Sequence, residues 1–358
     1  MSAAQNKIVR VELATITWHR ALAVVAIATA ALAATCCGSA ALTTAPPAHA
    51  ADANYQLIQE PGAGYAPIIG LISGATRSVR MTMYELTDPA AVNALIDDHN
   101  RGVDTRIILD AAFHGRQTNA GTFQQLTDAG VAVRWAPNGV IYHQKTITVD
   151  DATAAVGTGN LEPQYYSTSR DAWVLDTNPA DVAAIAATFD TDYTSPPSGR
   201  PPEATPAPNL IWSPMARASF LQHIDQATRS IDLTNQELKD RAVLSALDKA
   251  ASRGVQCRIV MTENPAWTRA VAEVSAAGCS VHLFPNTESG LYIHQKMLLT
   301  DNTSLIIGSQ NLSTTSLIEN RELSLALDTA IAPELISAVE STFDADYTAA
   351  SADRKSVV

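Results

Sequence analysis

Two segments of the chain repeat the same polar residues at the same spacing. The segment 142–160 reads YHQKTITVDDATAAVGTGN, and the segment 293–311 reads IHQKMLLTDNTSLIIGSQN. The repeated polar positions, each 151 residues from its copy, are His143 and His294, Lys145 and Lys296, Asp150 and Asp301, Thr158 and Ser309, and Asn160 and Asn311. A β-strand needs no such set of residues in order to fold, so the repetition indicates a chemical role.

The residue types in each copy are suited to a phosphate group. On a strand, residues i and i+2 point to the same face, so each histidine should project beside the lysine two residues later. Several donors around one fixed positive charge can hold a phosphate. Displacement at phosphorus needs a nucleophile and an acid on opposite sides, and one histidine from each copy would supply both at a shared site. The predicted phosphate-binding residues are Lys145, Lys296, Thr158, Asn160, Ser309 and Asn311.

The spacing His-x-Lys, four residues, Asp, six residues, Gly-Ser/Thr-x-Asn resembles the signature of the phospholipase D superfamily, and both copies match it without a gap. The resemblance covers residues 55–347. It implies a two-lobed α/β fold and phosphodiester chemistry through a phosphohistidine, with no metal or other cofactor. It also implies an acid near each histidine. The implied catalytic set is His143, Lys145, Asp150, His294, Lys296, Asp301, Asp171 and Glu322.

The acids that follow the two motifs differ in length. We expect Glu322 to reach His294 more easily than the shorter Asp171 reaches His143. A nearby carboxylate favours the charged imidazole. This difference would make His294 the acid and leave His143 as the nucleophile, as in the family.

Other carboxylates also recur between the copies. Asp150 and Asp301 end strands beside turns, where aspartate is common, and we expect them mainly to brace the loops. Glu85 and Glu237 recur at the ends of matched strands, where they either line the rim of the site or cap helices.

The motifs lie inside a duplicated domain, because the segments 75–86, 101–110, 129–138 and 189–193 align in order with 227–238, 253–262, 277–286 and 343–347. Within each half, apolar strand-like runs alternate with helical patterns. This alternation predicts an α/β fold in which helices flank a mixed, mostly parallel sheet, with the two lobes packed as a pseudo-twofold pair. The predicted organisation is a signal peptide at 1–50, a first phospholipase D-like lobe at 51–194, a Pro-rich linker at 195–209, a second lobe at 210–350 and a tail at 351–358.

The N-terminus is typical of an export signal. Lys7, Arg10 and Arg20 precede a long apolar run, and Ala48 and Ala50 satisfy the small-residue rule for cleavage. We therefore expect a secreted or extracytoplasmic protein, cleaved near Ala50. An uncleaved membrane anchor is the alternative, since the apolar run is long enough to span a bilayer.

Two cysteines, Cys257 and Cys279, lie outside this N-terminal segment. Export permits a disulfide, and the two residues lie on successive β-runs of the kind that often neighbour each other. We predict a Cys257–Cys279 bridge, with two buried thiols as the alternative.

The charge of the chain bears on its partners. The net charge is −12, and near −14 without the first fifty residues. Such a protein repels nucleic acid at long range, so no stable nucleic-acid complex is expected. We predict a monomeric, secreted phospholipase D-like phosphodiesterase that hydrolyses the head-group phosphodiester of a phospholipid at a membrane or micelle surface. The alternatives are a metal-independent nuclease, a phosphatidyl transferase of the cardiolipin-synthase kind and a non-catalytic lipid-binding protein.

Overall fold

The structure is a computed structural model that describes residues 49–196 and 199–355. The predicted signal peptide, residues 1–50, lies outside the described residues apart from His49 and Ala50, which belong to strand β1 (His49–Ala51). No helix in this described part of the chain is long and apolar enough to cross a membrane.

The first lobe is built on an eight-stranded sheet with helices packed against it. Its strands are β1, β2 (Tyr55–Gln59), β3 (Ser78–Met83), β4 (Asp104–Leu109), β5 (Ala132–Trp135), β6 (Lys145–Val149), β7 (Thr153–Gly157), β8 (Ser169–Arg170) and β9 (Ala172–Asp176). Its helices are α1 (Ala66–Ser73), α2 (Pro89–Asn100), α3 (Gly115–Asp128) and α4 (Pro179–Thr194), with a 3₁₀ turn at Pro163–Tyr165. The sheet order is β1-β2-β9-β7-β6-β3-β4-β5, and β8 lies outside it.

The second lobe repeats this plan with a seven-stranded sheet. Its strands are β10 (Leu210–Ser213), β11 (Ser230–Thr234), β12 (Gln256–Thr262), β13 (Ser280–Phe284), β14 (Tyr292–Ile293), β15 (Lys296–Thr300), β16 (Ser304–Gly308) and β17 (Glu322–Asp328). Its helices are α5 (Arg217–Gln226), α6 (Arg241–Ser252), α7 (Thr268–Ala276), α8 (Thr314–Ile318) and α9 (Pro333–Lys355), with a 3₁₀ turn at Pro265–Trp267. The sheet order is β10-β17-β16-β15-β11-β12-β13.

Two boundaries of the predicted organisation can be compared with these elements. Among its described residues, the segment 195–209 contains no helix or strand. Helix α9 continues to Lys355, into the segment predicted as a tail.

Polar side chains cap the helices that carry the sequence from strand to strand. Asp88 and Asn178 precede the prolines that begin α2 and α4, and each side chain accepts a backbone N–H of the first turn. Asp240 caps α6 in the same way. These residues are preferred N-caps, and proline suits the first helical position because it has no N–H to leave unsatisfied.

Both sheets are mixed, as predicted, but the expectation of mostly parallel strands is wrong. Within the two large sheets, among the strands that the structure describes, only β3-β4-β5 and β11-β12-β13 pair in parallel. The remaining neighbours, among them β6 with β7 and β15 with β16, are antiparallel. Each parallel pair is connected through a helix, whereas short turns join the motif strands, and such turns allow only antiparallel pairing.

An apolar core joins the two lobes. Val156 and Val174 of the first sheet belong to the same cluster of buried side chains as Ile307 and Leu325 of the second. The inward faces of the two sheets therefore bury each other, and the motif strands β6 and β15 lie close to this shared core.

The backbone contacts across the interface between the lobes are also duplicated. Ile293 pairs with Arg170 where β14 runs parallel to β8. Tyr142 pairs with Arg321 in an isolated parallel bridge. Tyr142 and Ile293 are equivalent positions, as are Arg170 and Arg321, so the two bridges are related by the predicted pseudo-twofold axis.

Cys257 and Cys279 form a disulfide. Cys257 lies in β12 and Cys279 directly precedes β13, and the register places Arg258 opposite Ser280. The two cysteines therefore lie side by side on adjacent parallel strands of the second lobe.

Candidate active site

Each motif histidine is held by a backbone carbonyl of the other lobe. The N–H groups of His143 and the next residue donate to the carbonyl oxygen of Arg321, at 3.0 and 3.1 Å. Those of His294 and the next residue donate to Arg170, at 3.2 and 2.7 Å. These contacts take the backbone away from the sheet, so β6 and β15 begin only at the lysines. The expectation that each histidine shares a regular strand with its lysine is therefore wrong.

The carboxylates are exchanged between the lobes. Nδ1 of His143 lies 2.8 Å from Oε2 of Glu322, and Nδ1 of His294 lies 2.9 Å from Oδ1 of Asp171. The prediction that Glu322 serves His294 and Asp171 serves His143 is wrong. Each acid directly follows the arginine whose carbonyl holds the opposite histidine, and this adjacency delivers the acid across the interface.

Asp171 is fixed behind the imidazole by hydroxyl groups. Oγ1 of Thr158 and Oγ of Ser169 each donate to its carboxylate at 2.6 Å. Gly159 is required at this point, because a Cβ there would lie 2.6 Å from Oδ2 of Asp171. The hydroxyl of Thr158 was predicted to bind phosphate, but it is buried and orients the acid instead.

Glu322 is fixed in a comparable way. Oγ of Ser316 and Nδ2 of Asn320 donate to its Oε1 at 2.5 and 2.9 Å. Ser309, the counterpart of Thr158, is fully buried and accepts the backbone N–H of Leu323 at 3.1 Å. Its predicted phosphate contact is therefore replaced by a bond that supports the strand carrying the acid.

The motif lysines lie buried beside the histidines. Nζ of Lys145 donates to the carbonyl oxygen of His143 at 2.6 Å. Nζ of Lys296 lies 2.9 Å from Nε2 of His294 and 3.2 Å from the carbonyl oxygen of Thr158. Lys296 thus contacts an imidazole nitrogen, whereas Lys145 contacts a carbonyl. Both remain placed to supply the positive charge that a phosphate requires.

Burial controls the protonation of this site. It lowers the pKa of His294 to about 4, although Asp171 raises it, and it lowers the pKa of His143 in the same way. Burial also lowers the pKa of Lys145 to about 8 and that of Lys296 to about 7. The free site therefore contains neutral imidazoles near neutral pH. A bound phosphodiester anion would favour their protonation.

Asp150 and Asp301 lie away from this chemistry. They follow the outer ends of the motif strands, in the left-handed conformation with φ of 57° and 54°. Asp150 accepts the N–H of Arg77 at 2.7 Å and the hydroxyl of Thr76 at 2.6 Å, and Asp301 makes the equivalent bonds in the second lobe. A strand of five residues lies between each aspartate and the strand end near the histidine. Asp150 and Asp301 therefore brace loops, and their prediction as catalytic residues is wrong.

A cavity of about 770 Å³ adjoins the two histidines and is lined by both lobes. Glu85 and Glu237, which the sequence places either at the rim of the site or at helix caps, each line it. The other lining residues include three aromatic residues that the sequence places in loops near the motifs, where they could contact lipid, namely Tyr165, Tyr166 and Tyr292. The sequence does not predict the lining residues Tyr65, Tyr84, Phe113, His114, Glu162 and Glu288 as site residues. In the described part of the chain, no three His, Cys, Asp or Glu side chains are grouped so that they could hold a metal ion.

The motif asparagines differ in the cavity wall. Nδ2 of Asn160 donates to Glu85 at 2.9 Å and to Glu162 at 3.0 Å, so this predicted phosphate donor is already engaged by carboxylates. Burial and the neighbouring Glu85 raise the pKa of Glu162 to about 7. Asn311 also lines the cavity, and its Nδ2 is not engaged by a carboxylate of the described residues, whereas Oδ1 lacks a partner there in both asparagines. Asn311 therefore remains the better placed of the two for a substrate.

The family model described as "Cardiolipin synthase, PLD-like domain" matches the chain twice, over residues 68–193 and 220–347. Both matches include a histidine motif, and together they cover more than half of the chain. The chain belongs to the phospholipase D superfamily.

This member of the superfamily is similar to cardiolipin synthases of Pseudomonas species. It is 28% identical to cardiolipin synthase A of Pseudomonas fluorescens strain SBW25 over 249 residues, which are 59% of this chain and 51% of the relative. It is 23% identical to cardiolipin synthase A of Pseudomonas entomophila strain L48 over 339 residues, 82% of this chain and 69% of the relative. The chain spans about half the length of several of these relatives.

Two solved structures share the fold. Phosphatidylserine synthase from Haemophilus influenzae Rd KW20 has a TM-score of 0.63 and 14% identity, with 83% of this chain and 87% of that chain covered. Polyphosphate kinase from Porphyromonas gingivalis has a TM-score of 0.59 and 15% identity, with 79% and 49% covered. At these identities the likeness concerns the fold alone.

Proposed function

We propose that this enzyme is a phosphatidyl transferase, which moves the phosphatidyl group of a phospholipid onto the hydroxyl of a second alcohol. The observation that carries the proposal is the pair of histidines at the lobe interface, each with a buried carboxylate from the opposite lobe at 2.8 to 2.9 Å. Such a pair offers a nucleophile and a proton carrier on one phosphate.

The proposed reaction has two displacements at phosphorus. His143 attacks phosphorus through Nε2, the bond from phosphorus to the leaving alcohol breaks, and the leaving oxygen takes the proton that Lys296 shares with Nε2 of His294. The acceptor alcohol then gives its proton to His294 and attacks phosphorus, and the bond from phosphorus to His143 breaks. Glu322 and Asp171 hold the Nδ1–H of each imidazole, so that Nε2 of His143 can attack and Nε2 of His294 can exchange a proton with Lys296.

The choice of transfer over hydrolysis is supported by the relatives, which are named as cardiolipin synthases. The family model carries the same description. The hydrolase predicted from the sequence would use the same intermediate with water as acceptor, so the two functions differ in the second displacement only. Besides Asp171, which is paired with His294, four carboxylates in the cavity wall argue against a polyanionic substrate such as nucleic acid, namely those of Glu85, Glu162, Glu237 and Glu288.

A lipid surface is the proposed place of action. Phe113 is 82% exposed and Tyr165 is 54% exposed, and both line the cavity. Aromatic side chains at the mouth of a cavity can enter the interfacial layer of a membrane while the acyl chains of the substrate stay in the bilayer. A secreted or extracytoplasmic location after cleavage near Ala50 remains part of the proposal, as does a monomeric state.

Product analysis separates the candidates. Phospholipid vesicles are incubated with glycerol as acceptor, and the lipid products are identified by mass spectrometry. We expect phosphatidylglycerol to exceed phosphatidic acid and to be absent with His143→Ala. Phosphatidic acid alone at every glycerol concentration would identify a hydrolase. Degradation of DNA without any change in lipid would identify a nuclease.

A further inference from the structure

The two lobes use different residues to hold the backbone in front of each histidine. The N–H of Tyr142 donates to Oδ1 of Asp110 at 2.7 Å. The N–H of Ile293, its equivalent, donates to Oγ1 of Thr262, also at 2.7 Å. Asp110 and Thr262 are aligned positions of the duplicated sequence. The same contact is therefore made by a carboxylate in one lobe and by a neutral hydroxyl in the other.

The hydrogen bond alone does not require a carboxylate at Asp110, because Thr262 makes it with equal length. Asp110 is wholly buried, and its second oxygen accepts the N–H of Ala112 at 3.0 Å. A buried carboxylate without a cation carries a desolvation penalty. The feature that distinguishes the first lobe is thus a negative charge kept inside the protein next to the active site.

Asp110 lies close to Lys145, because its backbone N–H donates to the carbonyl oxygen of Met83 at 3.2 Å and Met83 is the residue that pairs with Lys145 in the sheet. Lys145 is therefore a cation on which this charge can act. Burial lowers the pKa of Lys145 to about 8, and the charge of Asp110 is among those that oppose the shift. Burial also lowers the pKa of Lys296, to about 7, in the lobe that has the neutral Thr262 at this position. Burial also raises the pKa of Asp110 to about 7, so its charge develops where Lys145 would otherwise begin to lose its proton. The titratable groups that face Lys145 are Glu322, Glu85, Asp171, Asp110, Lys296, His143 and Tyr84.

We propose that Asp110 is a positioning residue that makes the two halves of the site inequivalent. Its charge keeps Lys145 as a fixed cation for the phosphate, whereas Lys296, which has no such partner at Thr262, shares its proton with His294. The contacts agree with this division, because Nζ of Lys145 bonds to a carbonyl and Nζ of Lys296 to an imidazole nitrogen. The division of roles rests on the proposed function, but the effect of Asp110 on anion binding does not.

Sulfate is a suitable probe, since it is a tetrahedral oxyanion whose charge is constant between pH 6 and pH 9. Its affinity is measured across this range for the wild type and for Asp110→Thr, which installs the residue of the second lobe. Removal of the negative charge lowers the pKa of Lys145. As the pH rises, the variant should therefore lose its affinity for sulfate at a pH about one unit lower than the wild type does. At pH 6 the two proteins should bind equally. Identical pH profiles for the two proteins would overturn the proposal. Asp110 would then serve only to accept the N–H of Tyr142.

Controls separate charge from folding. Asp176→Asn removes another wholly buried carboxylate, at the far end of β9, and should leave the profile unchanged. Lys145→Met should abolish the pH-dependent part of the binding. If Asp110→Thr does not fold, Asp110→Asn retains an acceptor for the N–H of Tyr142.

A measurement on the wild type needs no variant of Asp110. Nuclear magnetic resonance of labelled lysine side chains should give Lys145 the higher pKa of the two motif lysines, and equal values would overturn the proposal. If the pH profile of sulfate binding shifts in Asp110→Thr but the wild type has no transferase activity, the proposed function is refuted and this inference stands. If the wild type is a transferase but the profile does not shift, this inference is refuted and the proposed function stands.

Discussion

Nδ1 of His143 lies 2.8 Å from Oε2 of Glu322, although the two residues belong to different lobes. The equivalent contact joins His294 to Asp171. Neither lobe therefore contains a complete histidine–acid pair by itself, and the candidate active site is completed only at the interface. This gives a structural reason for the duplication within one chain.

The crosswise pairing predicts which acid serves the nucleophile. Glu322→Gln should prevent His143 from keeping Nδ1 protonated and should slow phosphoenzyme formation by about 10²- to 10⁴-fold, as for other histidine-orienting acids. Asp171→Asn should still form phosphoenzyme from a nitrophenyl phosphodiester, because that leaving group needs no protonation. Rapid acid quench with a phosphorus-labelled substrate measures both. The opposite pattern, with labelling lost in Asp171→Asn alone, would contradict the pairing.

The roles of the two histidines follow from a lysine and not from the lengths of the acids. Nζ of Lys296 lies 2.9 Å from Nε2 of His294, where a proton can be shared and passed to a leaving group. We therefore expect His143→Ala to form no phosphoenzyme and His294→Ala to form it slowly from a nitrophenyl phosphodiester. Peptide mapping of the label gives the answer. Label on His294, or label that survives in His143→Ala, would reverse the roles.

Much of the fold and the identity of the central residues could be predicted from the sequence. The constant spacing of His143 and Lys145 against His294 and Lys296 reports the duplication directly. Strand and helix patterns report the local elements, because those depend on neighbouring residues. The sequence predicts too many parallel strands, because the order of helices and strands along the chain does not determine which strands become neighbours in a sheet.

The partners of the acids could not be predicted in the same way. Spacing places Asp171 near its own motif, but the contact of Asp171 is decided by the carbonyl of Arg170, which bonds across the interface to His294. The prediction of Thr158 as a phosphate ligand fails for a similar reason, since a sequence does not show whether a hydroxyl faces the cavity or the acid behind it. Comparison of the two copies does show that Asp110 is unusual, because this acid aligns with the neutral Thr262 of the second copy.

Metal independence is expected from the charges at the site. Lys145 and Lys296 already offset the charge of a phosphodiester, and Asp171 and Glu322 are engaged by the histidines. Activity on a soluble nitrophenyl phosphodiester should therefore persist in excess EDTA. This substrate removes any effect of ions on a lipid surface. Loss of activity that a divalent ion restores would contradict the site assignment.

The disulfide should contribute to the stability of the second lobe. Cys257 and Cys279 are separated by 22 residues, and closing such a loop stabilises a protein by about 3 kcal/mol in the chain-entropy model. We expect the double variant Cys257→Ala, Cys279→Ala to lose about this free energy of unfolding, measured with urea. Thiol titration of the denatured, unreduced wild type is the control. Two free thiols there, or an unchanged free energy of unfolding in the variant, would refute the prediction.

Phe113 should anchor the cavity mouth to a lipid surface. Its side chain is 82% exposed, and its backbone has a φ of 52°, which is unfavourable for a bulky residue. Burial of a phenylalanine side chain in an apolar layer is worth about 1.5 to 3 kcal/mol. Phe113→Ser should therefore lower activity on phosphatidylcholine vesicles by about tenfold or more while activity on a soluble nitrophenyl phosphodiester stays the same.

Met215→Ser is the matched control, because Met215 is 79% exposed but is not among the residues that line the cavity. An equal loss on both substrates in Phe113→Ser would show that Phe113 supports the site itself, and an equal loss on vesicles in Met215→Ser would show a general effect of surface hydrophobicity.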